Sequence, residues 1–337
     1  MLKIGYKASA EQFGPRELLE FSVHAEKVGF DSIMVSDHFQ PWRHTNGHAP
    51  YSLGWLGALG ERTSRAIIGT SVLTPTFRYH PSIVAQAFAT LGLLCPGRVI
   101  LGIGTGESLN EVPATGMVWP GFKERFGRLR ESIELMRQLW TEDRVTFKGD
   151  YFQTERATIY DRPDELIPIY IAAAGPTAAR LAGRVAEGFI CTSGKAPDLY
   201  RETLLPNVAQ GLEKGGREAS DIEYMIEMKV SFDTDRVRAM EDTRHWAALA
   251  LSPEEKTGVE DPAEMEKLAD AVPAERAAKR WIVSTDPDEH VERLSEMIDL
   301  GFTHLVFHAP GPDQIRFLDL YSSEVLPRLR DRFGDVA

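Results

Sequence analysis

Short β-like runs alternate with amphipathic helical stretches along the whole 337-residue chain, and few architectures accept that alternation. The runs fall at residues 2–6, 32–35, 67–70, 99–101, 169–172, 188–191, 222–230 and 304–307, eight in all. The spacing predicts helices over 15–28, 81–94, 123–139, 176–185 and 287–300. In the last, Val291, Leu294, Met297, Ile298 and Leu300 recur near helical spacing. Several stretches begin with proline, which the first helical turn accepts because its missing N–H would be unpaired there anyway.

Eight runs, intervening helices and no glycine- or serine-rich linker point to the α/β class. The expected architecture is one (β/α)8 TIM barrel domain over 1–337, longer than the ~250 residues typical of that fold and so carrying insertions at the carboxyl-end face. A doubly wound open sheet is the alternative. The insertions are expected near 37–53, 145–164 (a hairpin around Lys148-Gly149-Asp150) and 233–273. The third holds eleven acidic and five basic residues, half of the net charge of −12, and reads as an acidic surface excursion.

With 38 basic against 50 acidic side chains, general attraction to nucleic acid or to an anionic membrane is excluded; an anionic ligand needs a local basic pocket. No apolar run approaches the ~18 residues of a membrane span, and the opening Met1-Leu2-Lys3-Ile4-Gly5-Tyr6 lacks an apolar signal core. Cys95 and Cys191 form no CxxC pattern, so neither a disulfide framework nor a thiolate metal cage is expected. A reducing cytoplasm fits.

In a barrel, the loops after the strands converge on one face, and chemistry is sought there first. After the second run comes Ser36-Asp37-His38-Phe39-Gln40-Pro41-Trp42-Arg43-His44. Asp37 and His38 offer a carboxylate beside an imidazole that titrates near neutrality, equipment for proton transfer or an ordinary hydrogen-bonded pair in a turn. Trp42 can face a developing cation. His44 and His48 are four apart, but Pro41, Gly47 and Pro50 disfavour a helix that would make them metal ligands; His304 and His308 share a strand face with no evident carboxylate companion. No metal is expected.

The fourth run continues into Gly102-Ile103-Gly104-Thr105-Gly106-Glu107-Ser108-Leu109-Asn110. A dinucleotide fingerprint is disfavoured, because Glu107 stands where a third glycine belongs and Pro113 and Pro120 are expected to delay the next helix. What remains is a permissive loop carrying Thr105, Glu107 and Asn110, or simply a glycine-softened barrel turn. Ala174-Gly175-Pro176-Thr177 opens a helix whose free N–H groups suit an anion. Thr192-Ser193-Gly194-Lys195 offers hydroxyls and an ammonium but lacks the spacing of a Walker loop. Lys256 and Arg280 read as ordinary surface cations.

Five separated stretches are recognisable together: residues 5–13, 36–44, 69–79 (Gly69-Thr70-Ser71-Val72-Leu73-Thr74-Pro75-Thr76-Phe77-Arg78-Tyr79), 191–195 and 279–283 (Lys279-Arg280-Trp281-Ile282-Val283). They closely resemble the F420-dependent glucose-6-phosphate dehydrogenase family of actinobacteria, within the bacterial luciferase-like superfamily. The resemblance implies a homodimeric (β/α)8 barrel that oxidises the anomeric carbon of glucose 6-phosphate or a similar sugar phosphate with coenzyme F420. Asp37, Thr74, Thr105 and Asn110 match family contacts to the deazaflavin, and Ser71-Val72 matches a non-prolyl cis peptide beneath its ring. Gly175, Pro176 and Thr177 fall where the cofactor phosphate is held, with Ala174 in place of a usual glycine. His38 and Glu107 match two proton-handling residues, with Trp42 beside the sugar and Thr192, Lys195, Lys256 and Arg280 at the substrate phosphate. The expected chemistry has His38, oriented by its surroundings and by Asp37, take the hydroxyl proton while the deazaflavin accepts hydride. Rivals are an FMN-dependent monooxygenase of the same superfamily, an F420-dependent dehydrogenase of another sugar phosphate or alcohol, and a non-catalytic flavin-binding barrel.

Overall fold

Nine strands, all parallel, form among the described residues of the computed structural model, which cover 2–334; Met1 and residues 335–337, the ends of the expected domain, lie outside them. They are β1 (Lys3–Ala8), β2 (Ser32–Val35), β3 (Ile67–Thr70), β4 (Val99–Ile103), β5 (Ile169–Ala172), β6 (Gly188–Thr192), β7 (Glu223–Phe232), β8 (Ile282–Ser284) and β9 (His304–His308). Pairing runs in chain order from β1 to β7, and β9 closes the ring by pairing with both β1 and β7. The result is a closed (β/α)8 barrel whose eight strands are the eight β-like runs of the sequence. The short β8 pairs only with the end of β7, at Val230, Ser231 and Phe232.

Helices Pro81–Leu94 and Pro176–Val185 have the expected bounds, and Pro15–Lys27, Phe122–Thr141 and Pro287–Asp299 nearly so. Two further helices depart from expectation. Ser52–Arg62 carries three glycines, and a methyl group at Gly60 would lie 2.5 Å from Cys95 Sγ, so its composition serves close helix packing rather than helix propensity. Ser108–Thr115 forms directly after β4 with Pro113 inside it. The proline forgoes one backbone hydrogen bond, but Asn110 and Glu111 are anchored from outside by the 38–40 loop and Arg78.

Strand alternation sorts the barrel interior into layers. Lys3, Ser32, Tyr170, Glu223 and His304 join at the amino end, where Glu223 accepts from Lys3 (2.9 Å) and from Tyr170, and His304 Nε2 meets Ser32 Oγ at 2.6 Å. Met34, Ile100, Ile190, Met225 and Val306 fill the middle. Above them lie Lys7, Ser71, Thr192, Glu227 and His308.

Residues 37–53 and 233–273 both reach the mouth. The latter folds into short helices with a small core of Ala247, Ala248, Leu251, Met265, Ala269 and Val272, against which Trp42 packs. Residues 145–164 form the expected hairpin, with antiparallel bridges Val145↔Ala157 and Lys148↔Gln153. Its turn is held by Glu131, whose carboxylate accepts from the N–H groups of Asp150, Tyr151 and Phe152. The hairpin leaves from the carboxyl end of Phe122–Thr141 but folds back along that helix, with the Phe152 ring 5.5 Å from that of His80 at the start of Pro81–Leu94, and none of its residues lines the mouth.

Candidate active site

The carboxyl ends of the strands enclose a cavity of about 440 Å3, within the size of ordinary small-molecule sites. Every site residue expected from the sequence lines it except Gly175, Pro176 and Thr177, which lie just outside at the start of Pro176–Val185; Ala174 lines its edge. No group of three or more His, Cys, Asp or Glu among the described residues is placed to hold a metal ion.

One side of the cavity is thin and flat. The Ser71–Val72 peptide is cis, and Gly104 faces it; a methyl group at Gly104 would come within 3.1 Å of Val72 Cγ2. Ala172, Ala173 and Ala174 continue this wall. Gly106 has φ +83°, a conformation side chains rarely adopt, and this turn carries Thr105 and the exposed Glu107 to the rim. The small-residue wall is a cradle for a planar ring.

His38 stands across from it with both ring nitrogens engaged. Nδ1 lies 3.1 Å from the Gln40 carbonyl oxygen and 3.1 Å from Asn110 Nδ2, while Nε2 lies 3.2 Å from Glu11 Oε1. Asn110 Oδ1 accepts from the N–H groups of Phe39 and Gln40 at 3.0 and 3.3 Å, which fixes the loop that carries the imidazole. Burial opposes the charge on Glu11, but His38, Lys7 and the Ser36 hydroxyl outweigh it and hold the carboxyl below its ordinary range.

Asp37 does not orient His38. Its carboxylate accepts from Arg78 (2.7 Å), Ser52 (2.6 Å) and Tyr79 (2.9 Å), and the same Arg78 reaches Glu111 at 3.2 Å. An ionised carboxylate beside an available guanidinium is drawn to it rather than to a neutral imidazole. Glu11, on the loop after β1, supplies the carboxylate that adjacency in sequence assigned to Asp37.

Cations gather at the other side. Lys195, Lys229, Lys256 and Arg280 all line the cavity, and Arg280 Nε is buried without a hydrogen-bond partner. Burial lowers the pKa of Lys195 and of Lys256, and Arg280 lowers both further. Lys256 Nζ sits 5.2 Å from the centroid of Trp42, so one face of that indole already holds a cation; its ring lies 6.0 Å from His38.

Beneath, Glu227 lies 3.0 Å from Lys7 and 3.0 Å from Lys229, and Lys229 donates to Thr192 Oγ1. His308 Nδ1 is 3.5 Å from Glu227, as His304 Nδ1 is from Glu223. Both strand histidines therefore have carboxylate companions, four residues apart on β7 as the histidines are on β9. Sequence reasoning missed Lys7, Glu11, Glu227, Lys229 and His308; polar residues at alternating positions where a strand approaches the mouth are the signal that marks Lys7, Glu227, Lys229 and His308, whereas Glu11 lies on a loop beyond its strand.

Residues 2–304 match the family of luciferase-like monooxygenases. The chain is 65% identical to an F420-dependent glucose-6-phosphate dehydrogenase of Nakamurella multipartita over 99% of its own length and 98% of that protein. It is 63% identical to one of Beutenbergia cavernae, with 100% of each chain covered. Among solved structures it resembles an F420-dependent secondary alcohol dehydrogenase in complex with an F420-acetone adduct, with TM-score 0.92, 36% identity and coverage of 98% and 99%.

Proposed function

The chain belongs to the luciferase-like monooxygenase family, and from that membership and the cavity we infer that it oxidises glucose 6-phosphate with coenzyme F420. A hydride leaves the anomeric carbon, the anomeric hydroxyl loses its proton, and 6-phosphogluconolactone and reduced F420 result. The carrying observation is that Lys195, Lys256 and Arg280 gather in the same cavity as the His38–Glu11 pair, in a chain of net charge −12. Such a chain repels anions at long range, so a cluster of this kind fits a specific anionic substrate.

The cradle of Val72, Gly104 and Ala172–Ala174 fits a flat ring, with Thr74, Thr105 and Asn110 beside it; Gly175, Pro176 and Thr177, at the start of the next helix, are the residues we assign to its phosphate tail. When bound there, F420 supplies a carbon that accepts hydride. Thr192, Lys195, Lys256 and Arg280 hold the sugar's phosphate, and the orphaned Arg280 N–H is one donor waiting for it. Trp42 closes over the sugar.

His38 takes the hydroxyl proton at Nε2. In the tautomer that donates Nδ1–H to Gln40, the Nε2 lone pair faces Glu11 at 3.2 Å, so a proton arriving at Nε2 is met by that carboxylate. The resulting imidazolium has an acceptor for each of its two N–H groups, so the charge formed in the reaction meets a prearranged partner. Glu107, at the rim, adjusts proton balance at the reduced ring or the sugar oxygen.

The test mixes the protein with oxidised F420 and glucose 6-phosphate and follows loss of the oxidised chromophore, with NADP and FMN as control acceptors. Turnover with F420 alone is expected. Turnover with FMN and oxygen but not with F420 rejects the reading.

We further read the chain as one domain acting in the cytoplasm as a homodimer. Ile83, Leu93 and Leu94 are exposed on the helix Pro81–Leu94, with Gln86 and Thr90 between them, a mixed surface suited to a second copy.

A further inference from the structure

A buried Lys–Glu–Lys triad crosses the floor of the cavity. Lys7 donates to the Ser71 carbonyl in the flat wall and sits 3.0 Å from Glu227 Oε2. Lys229 sits 3.0 Å from Glu227 Oε1 and donates to Thr192 Oγ1 in the cation-rich pocket; its own N–H is held by Ser193 Oγ at 2.9 Å. The side chains of Lys7, Glu227 and Lys229 are 6%, 15% and 4% exposed. One carboxylate, with one lysine on each oxygen, thus joins β3 through β1 and β7 to β6.

We propose that Glu227 is a positioning residue that fixes the span between the ring-binding wall and the phosphate pocket, and so makes the site selective for sugar phosphates of hexose length. This rests on the function proposed above. Three buried charges are costly to desolvate, and such groups seldom add net stability over apolar replacements of similar size, so stability alone does not account for a triad here. Burial opposes the charge on Glu227, yet Lys229 and Lys7 hold its carboxyl well below the usual range, which keeps both links charge-assisted. A rod so tied at both ends does not adjust to a substrate one carbon shorter. The cations of the phosphate pocket attract any phosphate; the rigidity of the rod is what discriminates between lengths.

The experiment compares glucose 6-phosphate with ribose 5-phosphate on the full-length chain. Binding of each is measured by calorimetry without cofactor, and kcat/KM with F420, in the wild type, Glu227→Gln and Lys229→Met. The wild type is expected to prefer the hexose phosphate at least tenfold, and both variants to lose at least tenfold of that preference. An electrostatic or merely structural role weakens both sugars in the same proportion. A ratio unchanged within twofold in a folded variant therefore overturns the proposal. Loss of the thermal unfolding transition in both variants also overturns it, by making the triad a requirement of folding. A wild type that binds the hexose phosphate selectively but does not reduce F420 rejects the proposed reaction while leaving the span argument standing on the binding ratios.

Discussion

Nε2 of His38 lies 3.2 Å from Oε1 of Glu11, although the two residues come from the loops after different strands, β2 and β1. The barrel closes a distance of 27 residues in sequence, and it does so where an imidazole needs a negative neighbour. Glu11 touches no substrate atom in this reading; it acts on the charge that His38 acquires.

Glu11→Gln is therefore expected to lower kcat by about 10- to 100-fold, the range in which loss of one charge-assisted partner falls. The KM for glucose 6-phosphate should stay within about threefold, because the phosphate donors are untouched. Steady-state kinetics decide it, and a kcat within twofold of wild type removes Glu11 from the chemistry.

His38→Ala should reduce turnover by ~10²-fold or more, the contribution of a positioned general base. Fluorescence titration should find F420 binding retained. Near wild-type turnover rejects the base assignment.

Arg280→Ala should raise the KM for phosphorylated sugar about tenfold or more, as loss of a hydrogen bond to a charged group implies. Slow oxidation of unphosphorylated glucose should be unchanged. If the two substrates suffer alike, Arg280 serves the fold and not the phosphate.

Acid should weaken the fold through the barrel's amino end. Burial lowers His304 to about 4, against the Glu223 carboxylate that favours its charged form. An unfolded histidine binds its proton near pH 6.5, so between pH 6.5 and 4 the unfolded chain holds protons the folded one refuses. Stability is full above that window and is lost as pH falls through it. Urea midpoints at pH 7 and 4.5 should show the drop, and His304→Gln should make it shallower; an equally steep drop in the variant assigns it elsewhere.

Asp242 works in the opposite sense. Burial, with Asp233, Asp313 and Glu241 adding to it and Arg238 opposing, pushes its carboxyl up to about 6. Below the unfolded value near 4 its contribution is fully present; stability is lost as pH rises through 6. Asp242→Asn should raise the Tm by about 1–2 °C at pH 8 and leave it unchanged near pH 4. A gain of the same size at both pH values would falsify the assignment.

The central strands β2 to β6 were legible because their runs are nearly continuous in apolar and small residues, as strands covered on both faces require, while β1, β7 and β9 carry inward polar residues between apolar ones. Loops after β2, β4 and β6 were legible for a simpler reason: histidine, tryptophan, glutamate and lysine stand out at strand ends. Glu11 did not, since nothing local distinguishes it from a surface carboxylate, and only the parallel pairing of β1 with β2 brings it to His38. The error over Asp37 has the same origin. Adjacent residues on a strand exit diverge, and Arg78, 41 positions away, claims Asp37 first. Lys256 shows the converse, a cation in an acidic excursion that packing lays over Trp42.

The apolar middle layer of the barrel, Met34, Ile100, Ile190, Met225 and Val306, separates two polar ends. It acts as a septum: among the described residues this layer offers no strong hydrogen-bonding side chain between the two ends, so under the proposed reaction a proton taken up by His38 has the mouth as its exit. In that reaction a seated sugar phosphate corks the exit, and the site is expected to discharge its proton to bulk water when the product leaves. Solvent exchange at the imidazole thereby becomes a clock for product departure.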